Sequence, residues 1–243
     1  MKTMSASLAD AGASTAPSAR PNMLVWDLPV RVFHWLMVMS FAGAYLTAES
    51  ERWRLVHVTL GYTMVGLVVF RLAWGLVGSR YARFSNFVRG PAAVARYLRS
   101  LVSGRPEHHV GHNPAGALAI LALMGLTMAI GLSGWSVYND IGGEWSEELH
   151  ELAANTMLAV IGVHIAGVLL SSGLHRENLT ASMITGRKSG RPEDGVRNAW
   201  RSVALLMLVA VLGFWWLQWQ GAPASGIGNR PAASALAHDR DED

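Results

Sequence analysis

The sequence predicts an all-α integral membrane protein, a four-helix transmembrane bundle followed by a fifth, C-terminal transmembrane helix. Three observations lead there. Hydrophobic residues make up 51% of the 243 positions and charged residues only 15%, the balance of a membrane protein and not of a soluble domain. The apolar residues gather in five runs, each long enough to cross a bilayer core. The basic residues fall in alternate loops between those runs.

Residues Met1 to Asn22 are rich in Ala, Ser and Pro without apolar periodicity and read as a disordered lead. No apolar core precedes a small-residue cleavage site, so the lead does not resemble a secretory signal, and the first membrane helix serves as an uncleaved one. The first span covers about Val32 to Ala48. Pro29 suits its start, where a missing N–H costs nothing, and Trp26 and Trp35 fit the interfacial belt. The second span runs from about Leu55 to Val77, with His57 at its beginning, Gly61 one turn later on the same face and Arg71 towards its end. An arginine-rich segment follows, Gly78 to Asn113, in which Pro91 to Val102 has the pattern of a short interfacial amphipathic helix. The third span, about Ala115 to Val137, has no ionisable residue, but His112 stands just before it. After the acidic loop Tyr138 to Glu148, the fourth span occupies Glu148 to His175. A second basic stretch leads to the fifth span, about Trp200 to Trp219, and the tail ends in Asp239, Asp241, Glu242 and Asp243.

Four divisions result: residues 1–22, a disordered cytoplasmic N-terminus; 23–188, the four-helix domain; 189–220, a basic linker with the fifth helix; and 221–243, a disordered periplasmic tail. Both basic connections belong on the cytoplasmic side of a bacterial inner membrane, which places the N-terminus inside and the C-terminus outside. The net charge of +3 arises in these loops, and no basic domain for nucleic acid remains once they are set aside. Zero cysteines exclude disulfides, cysteine-ligated clusters and covalent haem attachment through C-x-x-C-H.

The fourth span carries the chemistry, because it is apolar yet holds His150 and His164. Fourteen residues are close to four helical turns, so both imidazoles leave one face, offset by roughly 21 Å along the axis. The topology sorts the histidines by depth: His34 with His164 near the cytoplasmic side, His57 with His150 near the outer side. Two opposed neutral imidazoles at one level of a bundle are the axial ligands of a six-coordinate, non-covalent haem b. Two such pairs make a di-haem bundle, and filled axial positions leave electron transfer as the task. A lone histidine near a span end is equally a snorkelling interfacial residue, which is the plainer reading of His57 or His150 taken singly. Arg71 needs an anionic partner inside the span, either a haem propionate or a lipid phosphate. His112 suits a hydrogen bond to a propionate or a quinone. Met157, midway between the two histidines, reads as packing between haems. His175 lies on the face of His164 but beside Arg176 and Glu177, which points to solvent, and His108, His109 and His238 read as solvated loop residues.

The pieces WDLPVRVFHW, HVTLGY, FRLAWGLVGSRYARF, GHNPAG, HELAANTMLAVIGVHIAGV and HRENLTASMITGRK together cover Trp26 to Lys188. In that combination the chain resembles the bacterial cytochrome b561 and nickel-iron hydrogenase b-type cytochrome subunit family. The resemblance implies a four-helix core with two b haems and with His34, His57, His150 and His164 at the ligand positions, the same four that depth selects. It also implies electron exchange with membrane quinone and with a redox protein at the outer surface, such as a hydrogenase or a c-type cytochrome. The fifth span and acidic tail depart from the four-helix core and leave the partner open.

The expected function is therefore transmembrane electron transfer by an electron-transfer subunit, with quinone near the cytoplasmic haem beside Arg31, Arg71 and His112. Three rivals stand beside it. One is direct oxidation or reduction of superoxide or another small molecule. A histidine-lined divalent-metal permease is the second, although a transporter gathers its ionisable groups around a midplane cavity. The third, a haem-free membrane anchor, leaves the intramembrane histidines without purpose.

Overall fold

The computed structural model describes residues 21–104, 107 and 109–221. The expected lead before residue 21, the tail after residue 221, His108 and His238 lie outside the described residues. Strand β1 (Asn22–Leu24) precedes α1 (Leu28–Thr47) and α2 (Arg54–Val77). Two short helices, α3 (Phe84–Phe87) and α4 (Pro91–Val102), lead to α5 (Pro114–Tyr138) and α6 (Glu144–His175). The chain closes with α7 (Leu179–Thr185), strand β2 (Arg187–Ser189) and α8 (Arg201–Gln220).

Helix starts are set by side-chain caps. Asp27 accepts from Val30 N at 2.9 Å ahead of α1, Asn113 from Gly116 N at 2.7 Å ahead of α5, and Asn178 from Ala181 N at 2.8 Å ahead of α7. Each satisfies an amide that the first helical turn leaves unpaired. The acidic loop turns through Gly142 and Gly143, both at positive φ, and α6 begins at Glu144, one turn earlier than expected.

Among the described residues, four helical segments are long and apolar enough to cross a membrane: Glu51–Val77, Pro114–Tyr138, Glu144–His175 and Arg201–Gln220. With its 20 residues α1 has the length, but Arg31 and His34 in its first turns leave it less apolar than those four. Packing runs α8 on α1, α1 on α2, α2 on α5 and α5 on α6, with α8 also against α2. Among the described residues, α6 packs closely on α5 and α7 but not on α1 or α2. Tyr45 of α1 bridges to Asn155 of α6, Oη to Oδ1, at 3.5 Å.

A cluster of buried residues sits at one end of the bundle. There β1 and β2 pair antiparallel, Asn22 with Ser189 and Leu24 with Arg187. Asn22, assigned to the lead on composition, is thus the first residue of a strand. Below this clasp Met23, Val25, Trp26, Val30, Trp74 and Ala82 are buried together. Outside it the spans expose leucine, valine and tryptophan, as on α8 at Leu205, Val209, Leu212 and Trp216, an apolar surface that requires lipid.

Candidate cofactor-binding site

At the end of the bundle far from the clasp, α2 presents His57 and α6 presents His150, their ring centroids 6.1 Å apart. Two imidazoles that share one metal through bonds of about 2 Å have centroids about 6 Å apart. Both rings are held from behind. Nδ1 of His57 donates to the Ala44 carbonyl at 2.8 Å, and Nδ1 of His150 donates to the Ile130 carbonyl at 3.1 Å, with Ser133 Oγ at 3.2 Å. A carbonyl partner puts the proton on Nδ1, so each Nε2 keeps its lone pair for a metal. Gly134 admits the His150 ring to α5, since a Cβ there would stand 2.8 Å from its Cε1. Beside His57, a Cβ on Gly61 would meet nothing within 4 Å, which leaves open space along that face.

At the clasp end a second group assembles. His34 of α1 and His164 of α6 lie within electrostatic range of each other, and both lie within range of His112, as do Arg71 and Lys188. His112 is wedged between Trp26 and Phe87 with its ring tilted to both, centroids at 4.4 Å and 4.6 Å. Burial first, and these cationic neighbours second, push it down to about 3, so it is neutral at ordinary pH. The Arg71 guanidinium is 2% exposed and rests over Phe84, 4.9 Å from the ring centre. Arg71 Nη1 and Nη2, Arg31 Nε, His34 Nδ1 and His112 Nδ1 are buried without hydrogen-bond partners among the described residues. Buried donors in that state are costly, and a guanidinium with both terminal nitrogens unpaired suits a carboxylate.

A family model described as prokaryotic cytochrome b561 matches residues 25–186. The chain belongs to the prokaryotic cytochrome b561 family. It is similar to the probable Ni/Fe-hydrogenase B-type cytochrome subunit of Rhodobacter capsulatus, 22% identical over 219 residues that cover 70% of this chain and 82% of the relative. The protein of the same name from Bradyrhizobium diazoefficiens is 21% identical over 235 residues, covering 77% and 94%. A probable Ni/Fe-hydrogenase 1 B-type cytochrome subunit of Escherichia coli is 25% identical over 142 residues, covering 48% and 60%. No solved structure matches the chain. This cytochrome b561 is a multi-pass helical membrane protein of a b-type haem family.

Of the residues singled out in the sequence, the fold brings His57 to His150, and groups His34, His164, Arg71 and His112. Arg31 is directed elsewhere: its Nη2 donates to the Ile184 carbonyl at the end of α7. Met157, midway along α6, is buried. His175, expected in solvent, is half-buried, with Nδ1 at 2.9 Å from the Ser171 carbonyl, and His109 is half-buried beside Glu107. Missed altogether were Asp27, fully buried and accepting from Trp74 Nε1 at 3.0 Å, and Lys188, 6% exposed and paired with Glu177 at 3.0 Å. Ser133–Gly134 was findable, because a small pair late in the third span sits at the depth of His150.

Proposed function

We propose that this cytochrome b561 carries electrons across a bacterial inner membrane through two non-covalent b haems, one between His57 and His150, the other between His34 and His164. The observation that carries the reading is the far-end pair: the ring separation suits one shared metal, and both Nδ1 atoms are occupied by carbonyls. The clasp-end donors fit the same group, since haem b brings carboxylates for Arg71 to hold. The interval that α6 leaves against α1 and α2, with open space at Gly61, suits a flat macrocycle. Bound there, each haem supplies one-electron chemistry and no open coordination site.

In this reading α1 crosses the membrane with the four more apolar helices, the clasp end is cytoplasmic and quinone exchanges electrons there beside Arg71 and His112. The acidic far end faces the periplasm and a redox protein. A hydrogenase is the favoured partner, because the relatives are named as Ni/Fe-hydrogenase cytochrome subunits, while a c-type cytochrome uses the same surface logic. A permease is disfavoured because the ionisable groups sit at two levels, not around a midplane cavity.

Oxidised and dithionite-reduced spectra of the purified protein, with pyridine haemochrome quantification, test the assignment. Two haems b per chain are expected. His57→Ala or His150→Ala should each remove one, and His34→Ala or His164→Ala the other. A colourless, folded protein would sink the cytochrome reading. Quinol-driven haem reduction that is unaltered in Arg71→Gln and His112→Gln would remove the quinone assignment alone.

A further inference from the structure

Apart from the histidine pairs, the clasp end holds a second polar enclosure. It lies between α4, the segment entering α5, the last turns of α6 and strand β2, with a volume of about 30 Å3, enough for an ordered water. Its mouth carries Glu107 and His109, whose side chains are 39% and 33% exposed. Its floor is buried: Tyr97 is 1% exposed, Lys188 6% and Ser171 7%.

The groups form a connected set. Glu107 faces His109 Nε2 at 3.6 Å on one carboxylate oxygen and Arg96 Nε at 3.5 Å on the other. His175 Nε2 reaches the Glu107 carbonyl at 3.4 Å, and its Nδ1 lies 3.3 Å from Ser171 Oγ. Tyr97 hydrogen-bonds Ser171 in turn, and burial pushes its phenol up, so it stays protonated and relays through its hydroxyl without ionising. The charges on the floor cancel, Lys188 against Glu177, while Lys188 also donates to the Val110 carbonyl at 3.3 Å. Gly111 and Asn113 line the cavity, and His112 between them packs instead on Trp26 and Phe87. A single stretch of backbone thus separates a polar, water-sized enclosure from the cluster of His112, Arg71, His34 and His164.

We propose that this enclosure is the proton path of the clasp-end redox site, with Glu107 and His109 exchanging protons at the mouth and His175, Ser171 and Tyr97 relaying them through enclosed water. The inference rests on the quinone reading above. Oxidation of one quinol to quinone breaks two O–H bonds and yields two electrons and two protons. With a haem held by His34 and His164 the electrons would leave singly there, and both protons would leave by the cavity. Reduction of quinone takes up the same two electrons and two protons in reverse. Without such a path the protons would stay as charge in an apolar interior, which is prohibitive. Carboxylate, imidazole and hydroxyl groups each both accept and donate, which is what a relay needs.

The test uses the full-length haem-loaded protein in proteoliposomes, with a short-chain quinol as reductant and a pH-sensitive dye in the bulk phase. Glu107→Gln and His175→Gln keep shape and hydrogen bonding while removing the titrating group. Each should slow quinol-driven haem reduction and dye-reported proton release together by about tenfold or more. Added formate should restore the rate in Glu107→Gln. Haem content, midpoint potentials and reduction by a viologen radical, which releases no proton, should match the unsubstituted protein. Unchanged quinol kinetics in both variants would overturn the relay while leaving the quinone reading intact, as would slow kinetics that formate does not rescue. An unsubstituted protein that viologen reduces and quinol does not would remove the quinone reading, and the relay with it.

Discussion

Gly134 governs how closely the His150 ring approaches α5. A Cβ at that position stands 2.8 Å from the ring, closer than carbon atoms approach, so the imidazole must swing off its Ile130 and Ser133 partners. Gly134→Val is expected to lower haem content from two per chain to one, with His57 left unpaired, and Gly134→Ala to weaken retention less; pyridine haemochrome assays on both variants check this. His112 gives a second residue-scale expectation, this one in pH. Its folded value of about 3 lies below the ordinary 6.5, so between those values the unfolded chain binds a proton that the folded chain does not. Stability therefore falls as pH drops through that window. The thermal midpoint should decline less over the same range in His112→Gln, and equal declines would show that His112 contributes nothing to acid sensitivity.

At the scale of elements, α8 carries none of the four candidate ligands. It packs on α1 and α2, with Trp215 Nε1 donating to Thr63 Oγ1 at 2.9 Å, a bond of about 1 kcal/mol. A chain ending at residue 199 is expected to bind two haems with unaltered spectra and a lowered thermal midpoint; loss of either haem would make α8 part of the cofactor core. The long helices and α4 were legible in the sequence to within a turn, because apolar runs bounded by Pro29, Pro91 and Pro114 report both length and start, whereas the short α3 and α7 were not. The His57–His150 pairing was legible too, since helices that alternate in direction convert sequence position into depth. The clasp was not. Strands of three residues, joining polar segments far apart in the chain, carry no periodicity, and the burial of Asp27 and Lys188 depends on those strands having paired. The water-sized cavity was hidden for a related reason: Glu107, His109 and His175 read as loop or interfacial residues until α4 folds across α5.

For the molecule as a whole, the basic segments of α3, α4 and the stretch after α6 collect at the clasp end, and the acidic α5–α6 loop lies at the other. The absence of cysteine from the sequence permits a direct test of orientation. In intact spheroplasts, Asn139→Cys should react with a membrane-impermeant maleimide and Ser85→Cys should not, until the membrane is broken; the opposite pattern would invert the topology. The clasp also bears on biogenesis. Strand β1 leaves the ribosome before any spanning helix, whereas β2 emerges only after all but the last. The seam between them is consequently among the final features to form, and throughout synthesis of α1 to α7 the chamber holding His34, Arg71 and His164 stays unlatched. In the two-haem reading, a haem entering that end during synthesis would meet it before β1 and β2 have paired.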